Sequence, residues 1–203
     1  MIGVVDYGSG NIQAVINIYN RLRIPSRVVN VHEDLTEVTK IVLPGVGAFD
    51  EAMSRLNMSG LREALDDAVL VKKVPVMGIC VGMQVMGNSS DEGNLEGLGW
   101  IPGHVEKFDT SKMTLLPKLP HMGWNNVNLK SVPIFKNINE DFGFYFLHSY
   151  YFNAKSKINV IGSSVYQDEF DCAINENHIY GFQFHPEKSH SNGIQLFKNF
   201  WQL

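Results

Sequence analysis

Residues 74–84 read Val-Pro-Val-Met-Gly-Ile-Cys-Val-Gly-Met-Gln and combine an apolar run with a cysteine between two glycines. The apolar run predicts a short buried strand. Gly78 and Gly82 would allow a sharp turn around Cys80, as in the Gly-x-Ser-x-Gly nucleophile elbow. A helix is expected to start after Cys80, and its dipole would favour a thiolate at that position. The stretch therefore predicts a strand–turn–helix unit that presents a cysteine nucleophile, with an inert buried cysteine as the alternative.

A second stretch, residues 180–187, reads Tyr-Gly-Phe-Gln-Phe-His-Pro-Glu and alternates as a strand does. On such a strand Gln183, His185 and Glu187 would share one face. Pro186 favours an extended His185, so the carboxylate of Glu187 can reach back to the imidazole. A carboxylate on one ring nitrogen leaves the other as a base, which is the arrangement of a catalytic triad. The two stretches together predict a Cys-His-Glu catalytic group.

Strand and helix patterns alternate along the first part of the chain. A continuous apolar run at residues 2–5 precedes helical spacing at residues 12–22, and two further strand patterns come before residue 44. This alternation predicts an α/β fold with a parallel sheet. Residues 98–180 contain short strand-like runs separated by Gly, Pro, Asn and Asp turns. We expect these runs to extend the same sheet with antiparallel strands, within a single domain that spans residues 1–203.

The two catalytic stretches resemble those of the class I (triad) glutamine amidotransferases. Four further segments, at residues 6–11, 43–47, 120–125 and 145–151, resemble the glutaminase subunits of imidazole glycerol phosphate synthase within that family. The similarity extends over nearly the whole chain. It implies a flavodoxin-like three-layer sandwich with a mostly parallel central sheet and an antiparallel extension. It also implies hydrolysis of L-glutamine to L-glutamate and ammonia through a thioester on the cysteine.

The resemblance implies roles for residues outside the triad. The triad itself is Cys80, His185 and Glu187. The oxyanion hole would be formed by backbone N–H groups among Val81, Val46 and Gly47. The residues implied to bind substrate are Gly45, Gln84, His148, Ser149 and Tyr150. A cyclase subunit is the implied partner, forming a heterodimer and using the ammonia in histidine biosynthesis. The residues implied to contact it are Asn11, His121, Trp124 and Lys188.

Two other functions remain open at this point. The same glutaminase could supply a different synthase, such as one that aminates a sugar for a surface polysaccharide. Val81 stands where the family commonly has Leu, and Gly87 and Asn88 stand where bulkier residues are common, which leaves room for such a paralogue. The chain could also be a catalytically silent subunit that only regulates its partner. The intact Cys80, His185 and Glu187 argue against that second possibility.

Composition excludes several classes of protein. The net charge of −4 provides no general basic surface for nucleic acid or for an anionic membrane. Two cysteines are too few for a disulfide framework. The first residues have neither the basic region nor the apolar run of a signal sequence, so we expect a cytoplasmic protein. We expect no cofactor and no metal, because Gln13 replaces the third glycine of a dinucleotide fingerprint and no His/Cys cluster has zinc spacing.

Overall fold

The computed structural model of the chain describes residues 1–111, 113–114 and 118–203. Its helices are α1 (Ile12–Arg21), α2 (Phe49–Met58), α3 (Arg62–Asp66), α4 (Val81–Gln84) and α5 (His190–Gln202). Its strands are β1 (Ile2–Val5), β2 (Ser26–Val29), β3 (Lys40–Gly45), β4 (Val76–Cys80), β5 (Ser89–Ser90), β6 (Gly103–Lys107), β7 (His121–Asn125), β8 (Asn128–Leu129), β9 (Phe144–His148), β10 (Tyr150–Ala154), β11 (Val160–Tyr166), β12 (Asp168–Glu176) and β13 (Ile179–Phe182).

A mixed central sheet organises the fold. Within the described ranges it has eight strands in the order β2-β1-β3-β4-β13-β12-β11-β8. The strands from β2 to β13 pair in parallel, and β12, β11 and β8 continue the sheet with antiparallel pairs. The parallel part follows the flavodoxin-like order 2-1-3-4-5, with β13 as the fifth strand. The predicted α/β fold with a mostly parallel sheet and an antiparallel extension is confirmed.

Strand β4 lies at the centre of the sheet, between β3 and β13, and all of its residues are buried. A strand covered on both faces has to be apolar throughout, which is why residues 76–80 form a continuous apolar run. The parallel strands β1, β3, β4 and β13 are neighbours, so their carboxyl ends meet at one edge. In α/β sheets that edge is where ligands bind.

Helices cover the sheet and complete the core. Tyr19 of α1 packs edge-to-face on Phe197 of α5, with ring centroids 5.4 Å apart. Phe49, Met53 and Leu56 of α2 are buried at helical spacing. No helix in the described part of the chain is long and apolar enough to cross a membrane.

The second half of the chain differs from the prediction of one extended sheet. Only β8, β11 and β12 continue the central sheet, whereas β10, β6 and β5 form a second sheet and β7 and β9 form a third. The strand patterns were recognisable, but the pairing partners were not. Strand propensity reflects how well a side chain fits a half-buried pleated surface, and it contains no information about which strand lies alongside.

The predicted strand at residues 180–187 is too long. β13 ends at Phe182, and residues 186–188 form a 3₁₀ turn that contains Glu187. The backbone leaves the central sheet at His185, whose N–H donates to the carbonyl of Tyr145 in β9 at 2.8 Å. Pro186 lacks an N–H and has a fixed φ, so it favours this turn over a continued ladder. His185 and Glu187 therefore meet across a turn, not along a strand face.

Candidate active site

A cavity of about 300 Å³ opens at the carboxyl edge of the parallel strands. Loops that follow β1, β3, β4 and β13 all contribute to its wall, as the strand order requires. Its size is at the lower end of the range for small-molecule sites. All of the site residues predicted from sequence line this cavity, except Gly45, His121 and Trp124.

Cys80 occupies the sharp turn that the sequence predicts. Its backbone has φ +54° and ψ −114°, and it joins the end of β4 to the start of α4. Such a conformation is costly for a residue with a side chain and is typical of functional positions. A Cβ atom at Gly82 would lie 1.9 Å from the carbonyl oxygen of Leu43, so only glycine lets α4 pack this closely against β3. The glycine after the cysteine is thus required by packing.

The helix dipole is a weaker influence on Cys80 than the sequence suggests. Helix α4 contains only four residues, Val81–Gln84, so few peptide dipoles are aligned behind the sulfur. The nearest strong influence is the imidazole of His185, whose pKa is raised in part by its interaction with the Cys80 side chain. A positively charged histidine beside a cysteine favours the thiolate.

His185 and Glu187 form the predicted pair. Nδ1 of His185 lies 2.8 Å from Oε1 of Glu187, and the two side chains are 3% and 4% exposed. Burial alone would lower the pKa of His185, but the hydrogen bonds and negative charges of Cys80 and Glu187 raise it to about 10. The hydroxyl of Ser189 donates to the His185 carbonyl at 2.6 Å, which holds the turn. The imidazole therefore carries a proton at neutral pH.

One predicted oxyanion donor is engaged by another residue. The N–H of Val46 donates to Oγ of Ser9 at 3.0 Å, and the Ser9 hydroxyl donates to the Val46 carbonyl at 2.8 Å. This N–H can serve a substrate oxygen only if its bond to Ser9 breaks. Gly47, at φ +92°, and Val81, at the first position of α4, both line the cavity beside Cys80.

Gly45, which is predicted to bind substrate, is not among the residues that line the cavity. It lies opposite Cys80 in the β3–β4 pairing, and a Cβ atom there would lie 2.4 Å from the backbone nitrogen of Gly82. Its role is to let α4 approach β3. The other residues predicted to bind substrate, which do line the cavity, are Gln84, His148, Ser149 and Tyr150.

His121 is buried, which corrects its predicted place at a partner surface. In β7 the side chains alternate, so Met122 and Trp124 face solvent while His121 faces the core and is 4% exposed. Nδ1 of His121 lies 2.9 Å from Nε2 of His148, which is also buried. Burial lowers the pKa of His121 to about 4 and that of His148 to about 3, so both rings are neutral.

Trp124 lies on an exposed apolar face beside the cavity. It is 47% exposed and stacks on His190 with ring centroids 5.2 Å apart. Met122 and Leu147 form a cross-strand pair on the same side of the β7–β9 ribbon and are 62% and 36% exposed. Leu147 also lines the cavity, so this face is continuous with the cavity mouth. Asn11 and Lys188, both exposed, lie at the same mouth.

Sequence reasoning missed two residues of this site. Gln183 is fully buried, and its Nε2 lies 3.7 Å from the sulfur of Cys80. Glu92 lines the cavity and also accepts from the N–H of Phe49 at 2.8 Å. The sequence pattern places Gln183 on the same face as His185 and Glu187 but does not indicate its contact with Cys80. Glu92, with Asp91, matches an acidic pair that the family often has in this polar loop, but the sequence assigns it no role.

Comparisons with known proteins agree with this geometry. The family model described as Glutamine amidotransferase class-I matches residues 3–203. A protein named "Imidazole glycerol phosphate synthase subunit HisH" from Bdellovibrio bacteriovorus is 52% identical, with 100% of both chains covered. The protein of that name from Leptospira interrogans is 45% identical, again with 100% of both chains covered.

A solved structure supports the fold independently of close sequence similarity. The structure of PurLQS from Thermotoga maritima matches with a TM-score of 0.74 at 15% identity, covering 99% of this chain and 97% of that one. At that identity the likeness concerns the fold alone. The cysteine elbow, the His-Glu pair and the match over residues 3–203 lead to one conclusion: this chain belongs to the class I glutamine amidotransferase family.

Proposed function

We propose that this chain is the glutaminase subunit of an imidazole glycerol phosphate synthase. It hydrolyses L-glutamine and delivers the ammonia to a cyclase subunit in histidine biosynthesis. The observation that carries the proposal is the Cys80 elbow with the buried His185–Glu187 pair in one cavity. The names of full-length relatives at 45–52% identity support the choice of synthase. We further propose that residues 1–203 act as one domain in the cytoplasm.

The first half of the reaction forms a thioester. The raised pKa of His185 places a proton on its imidazole, so the sulfur of Cys80 attacks the side-chain amide carbon of glutamine. The amide C=O becomes an oxyanion on a tetrahedral carbon. His185 then gives its proton to the departing nitrogen, the C–N bond breaks, and ammonia leaves the γ-glutamyl thioester.

The second half releases glutamate. His185 is now neutral and removes a proton from water, which attacks the thioester carbonyl. The C–S bond breaks, glutamate leaves, and the sulfur and imidazole regain their starting states. Glu187 keeps the ring oriented through its 2.8 Å contact and stabilises the charged form. Its other oxygen, Oε2, is buried without a hydrogen-bond partner among the described residues, so its orientation depends on His185.

Backbone groups would stabilise the oxyanion. The N–H of Val81 and one from Val46 or Gly47 are the candidate donors. Because the Val46 N–H is bonded to Ser9, recruiting it requires a movement of the loop after β3. For the α-ammonium group of glutamine, Glu92 supplies a carboxylate in the cavity wall. The backbone of residues 148–150 would bind the α-carboxylate.

A direct test compares the chain alone and with a candidate cyclase. Glutamate release should be measured with and without the cyclase and its ligand, and affinity purification from the native organism should identify the synthase bound. Recovery of a sugar-aminating synthase would favour the paralogue. Absence of glutaminase activity with every partner would favour a silent subunit.

Trp124→Ala should weaken binding to the cyclase. We propose that the exposed face of Met122, Trp124 and Leu147, together with Asn11 and Lys188, contacts that subunit in a heterodimer. Removing a central interface aromatic commonly costs about 2 kcal/mol or more, which corresponds to roughly a 30-fold rise in Kd. Calorimetric titration of the variant with the cyclase would measure it.

Met58→Ala is the matched control for that experiment. Met58 is 81% exposed and ends α2, the helix that runs from the cavity edge towards the opposite edge of the sheet. Its loss should leave the affinity unchanged. An unchanged affinity for Trp124→Ala would remove Trp124 from the interface.

A further inference from the structure

The register of β4 and β13 places a glutamine next to the nucleophile. Phe182 pairs with Ile79 in parallel, so the following residues, Gln183 and Cys80, lie side by side. Nε2 of Gln183 is 3.7 Å from the Cys80 sulfur, and the Gln183 side chain is fully buried. The donor end of this contact is therefore shielded from water.

The orientation of the Gln183 amide is fixed by its neighbours. The carbonyl oxygen of Tyr150 can only accept hydrogen bonds, and Nε2 of Gln84 lies 3.0 Å from it. That contact requires the NH₂ group of Gln84 to face the carbonyl. The same NH₂ group lies 3.0 Å from Oε1 of Gln183. Gln183 thus accepts through its oxygen and must direct its own NH₂ group towards the sulfur of Cys80.

The two buried histidines, His148 and His121, fix the position of the Tyr150 carbonyl. Nδ1 of His148 lies 2.8 Å from the Tyr150 carbonyl and must donate to it. Its Nε2 then accepts from Nδ1 of His121. Nε2 of His121 in turn accepts from the side-chain amide of Asn125, at 3.2 Å. Every donor in this series of hydrogen bonds has an acceptor, so the series holds the Tyr150 carbonyl in one position.

We propose that Gln183 is a further catalytic residue, which donates a hydrogen bond to the Cys80 thiolate, and that Gln84, His148 and His121 are positioning residues for it. This proposal rests on the proposed glutaminase function. A thiolate beside a fixed N–H donor is stabilised before substrate arrives and keeps its direction towards the cavity. Gln84 would then act through Gln183 as well as on substrate.

The test is the pH dependence of alkylation of Cys80 by iodoacetamide in the complete chain. Gln183→Met keeps the side-chain length and removes the donor. The pH at which alkylation is half-maximal should rise by about one pH unit, since a hydrogen bond to a charged group is lost. Cys172 is fully buried, and mass spectrometry would assign the labelled cysteine.

The other titratable groups near the sulfur stay the same in this variant. They are His185, Tyr7, Glu187 behind His185, His148, and the two cavity-lining residues Glu92 and Lys188. Burial holds the pKa of Tyr7 well above its usual value, and His148 is neutral, so neither changes charge between pH 5 and 9. A shift of the midpoint would therefore report the loss of the Gln183 donor.

Two further variants complete the test. Gln195→Met removes a partly buried glutamine of α5 that is bonded to Asn199, and its alkylation midpoint should equal that of the wild type. Gln84→Met leaves Gln183 free to rotate and should give a smaller upward shift. Equal midpoints for Gln183→Met and Gln195→Met would overturn the proposal, even with a lowered melting temperature, because they would indicate packing alone.

If Gln183→Met does not fold, as judged by circular dichroism, the alkylation midpoint of Gln84→Met tests the proposal in its place. A wild-type midpoint for Gln84→Met would then overturn the proposal, and a raised midpoint would support it. Iodoacetamide needs neither glutamine nor a partner. A negative result here would therefore leave the glutaminase proposal standing, and absence of glutaminase activity would not by itself alter the alkylation result.

Discussion

Cys80→Ala is expected to abolish glutamine hydrolysis while leaving the fold intact. The substitution removes the attacking sulfur, and no other described side chain of the cavity could replace it as nucleophile in this position. By analogy with loss of the nucleophile in other triad enzymes, activity should fall by at least about 10⁴-fold. The measurement is glutamate release by the purified variant in complex with its cyclase.

The partner's own reaction provides the control for that variant. Added ammonium salts should still support cyclase turnover, because the ammonia source is replaced and the interface is unchanged. Circular dichroism and the melting temperature should stay close to those of the wild type. Substantial glutamine-dependent turnover by Cys80→Ala would refute the role of Cys80.

His185→Asn should reduce glutaminase activity much more than Glu187→Gln. The first change removes the group that carries the proton in both halves of the reaction, which is worth about 10²–10⁴-fold. The second removes a carboxylate that orients the ring and raises the pKa of His185. With glutamine at position 187 the pKa should fall from about 10, but the imidazole can still transfer a proton. Steady-state kcat and KM of both variants would measure the difference.

The melting temperatures of the wild type and of His185→Asn give an independent test of the His185–Glu187 pair. The pKa of His185 in the folded state, about 10, lies above its ordinary value of 6.5. The protonated ring therefore contributes stability below about pH 6.5, and that contribution is lost as the pH rises towards 10. The melting temperature of the wild type should approach that of His185→Asn over this range.

In the activity measurements, a greater loss for Glu187→Gln than for His185→Asn would contradict the assigned roles.

Local chemistry explains which parts of the site could be predicted. The two glycines around Cys80 specify a sharp turn within a few residues, and the structure contains that turn. The turn at Pro186–Lys188 was not predicted, because the alternating pattern around it indicates a continued strand. The apolar run before Cys80 specifies a strand buried on both faces, which places the turn at the ligand-binding edge. These features depend on short stretches of chain.

The features that could not be predicted from the sequence are contacts between distant parts of the chain. Whether His121 faces solvent depends on how β7 packs against the rest of the protein, and its sequence neighbourhood does not record that. The contact of Gln183 with Cys80 arises from the parallel pairing of β4 and β13, which are separated by about half of the chain. Gln183 is one polar residue in an alternating pattern, so its neighbour could not be inferred without that pairing.

The backbone at Cys80 has a consequence for engineering. A positive φ of +54° with ψ −114° costs a residue with a side chain about 1–3 kcal/mol, whereas glycine adopts it freely and loses about 0.5–1 kcal/mol through chain entropy. Cys80→Gly should therefore melt at a higher temperature than Cys80→Ala, and calorimetry of the two inactive proteins would show whether it does. Natural domains are stable by only about 5–15 kcal/mol, so such a difference is large enough to be selected. Laboratory evolution for heat resistance alone would then favour a more stable protein that has lost its catalytic cysteine. Any such screen of this enzyme therefore has to select for ammonia production in the same round.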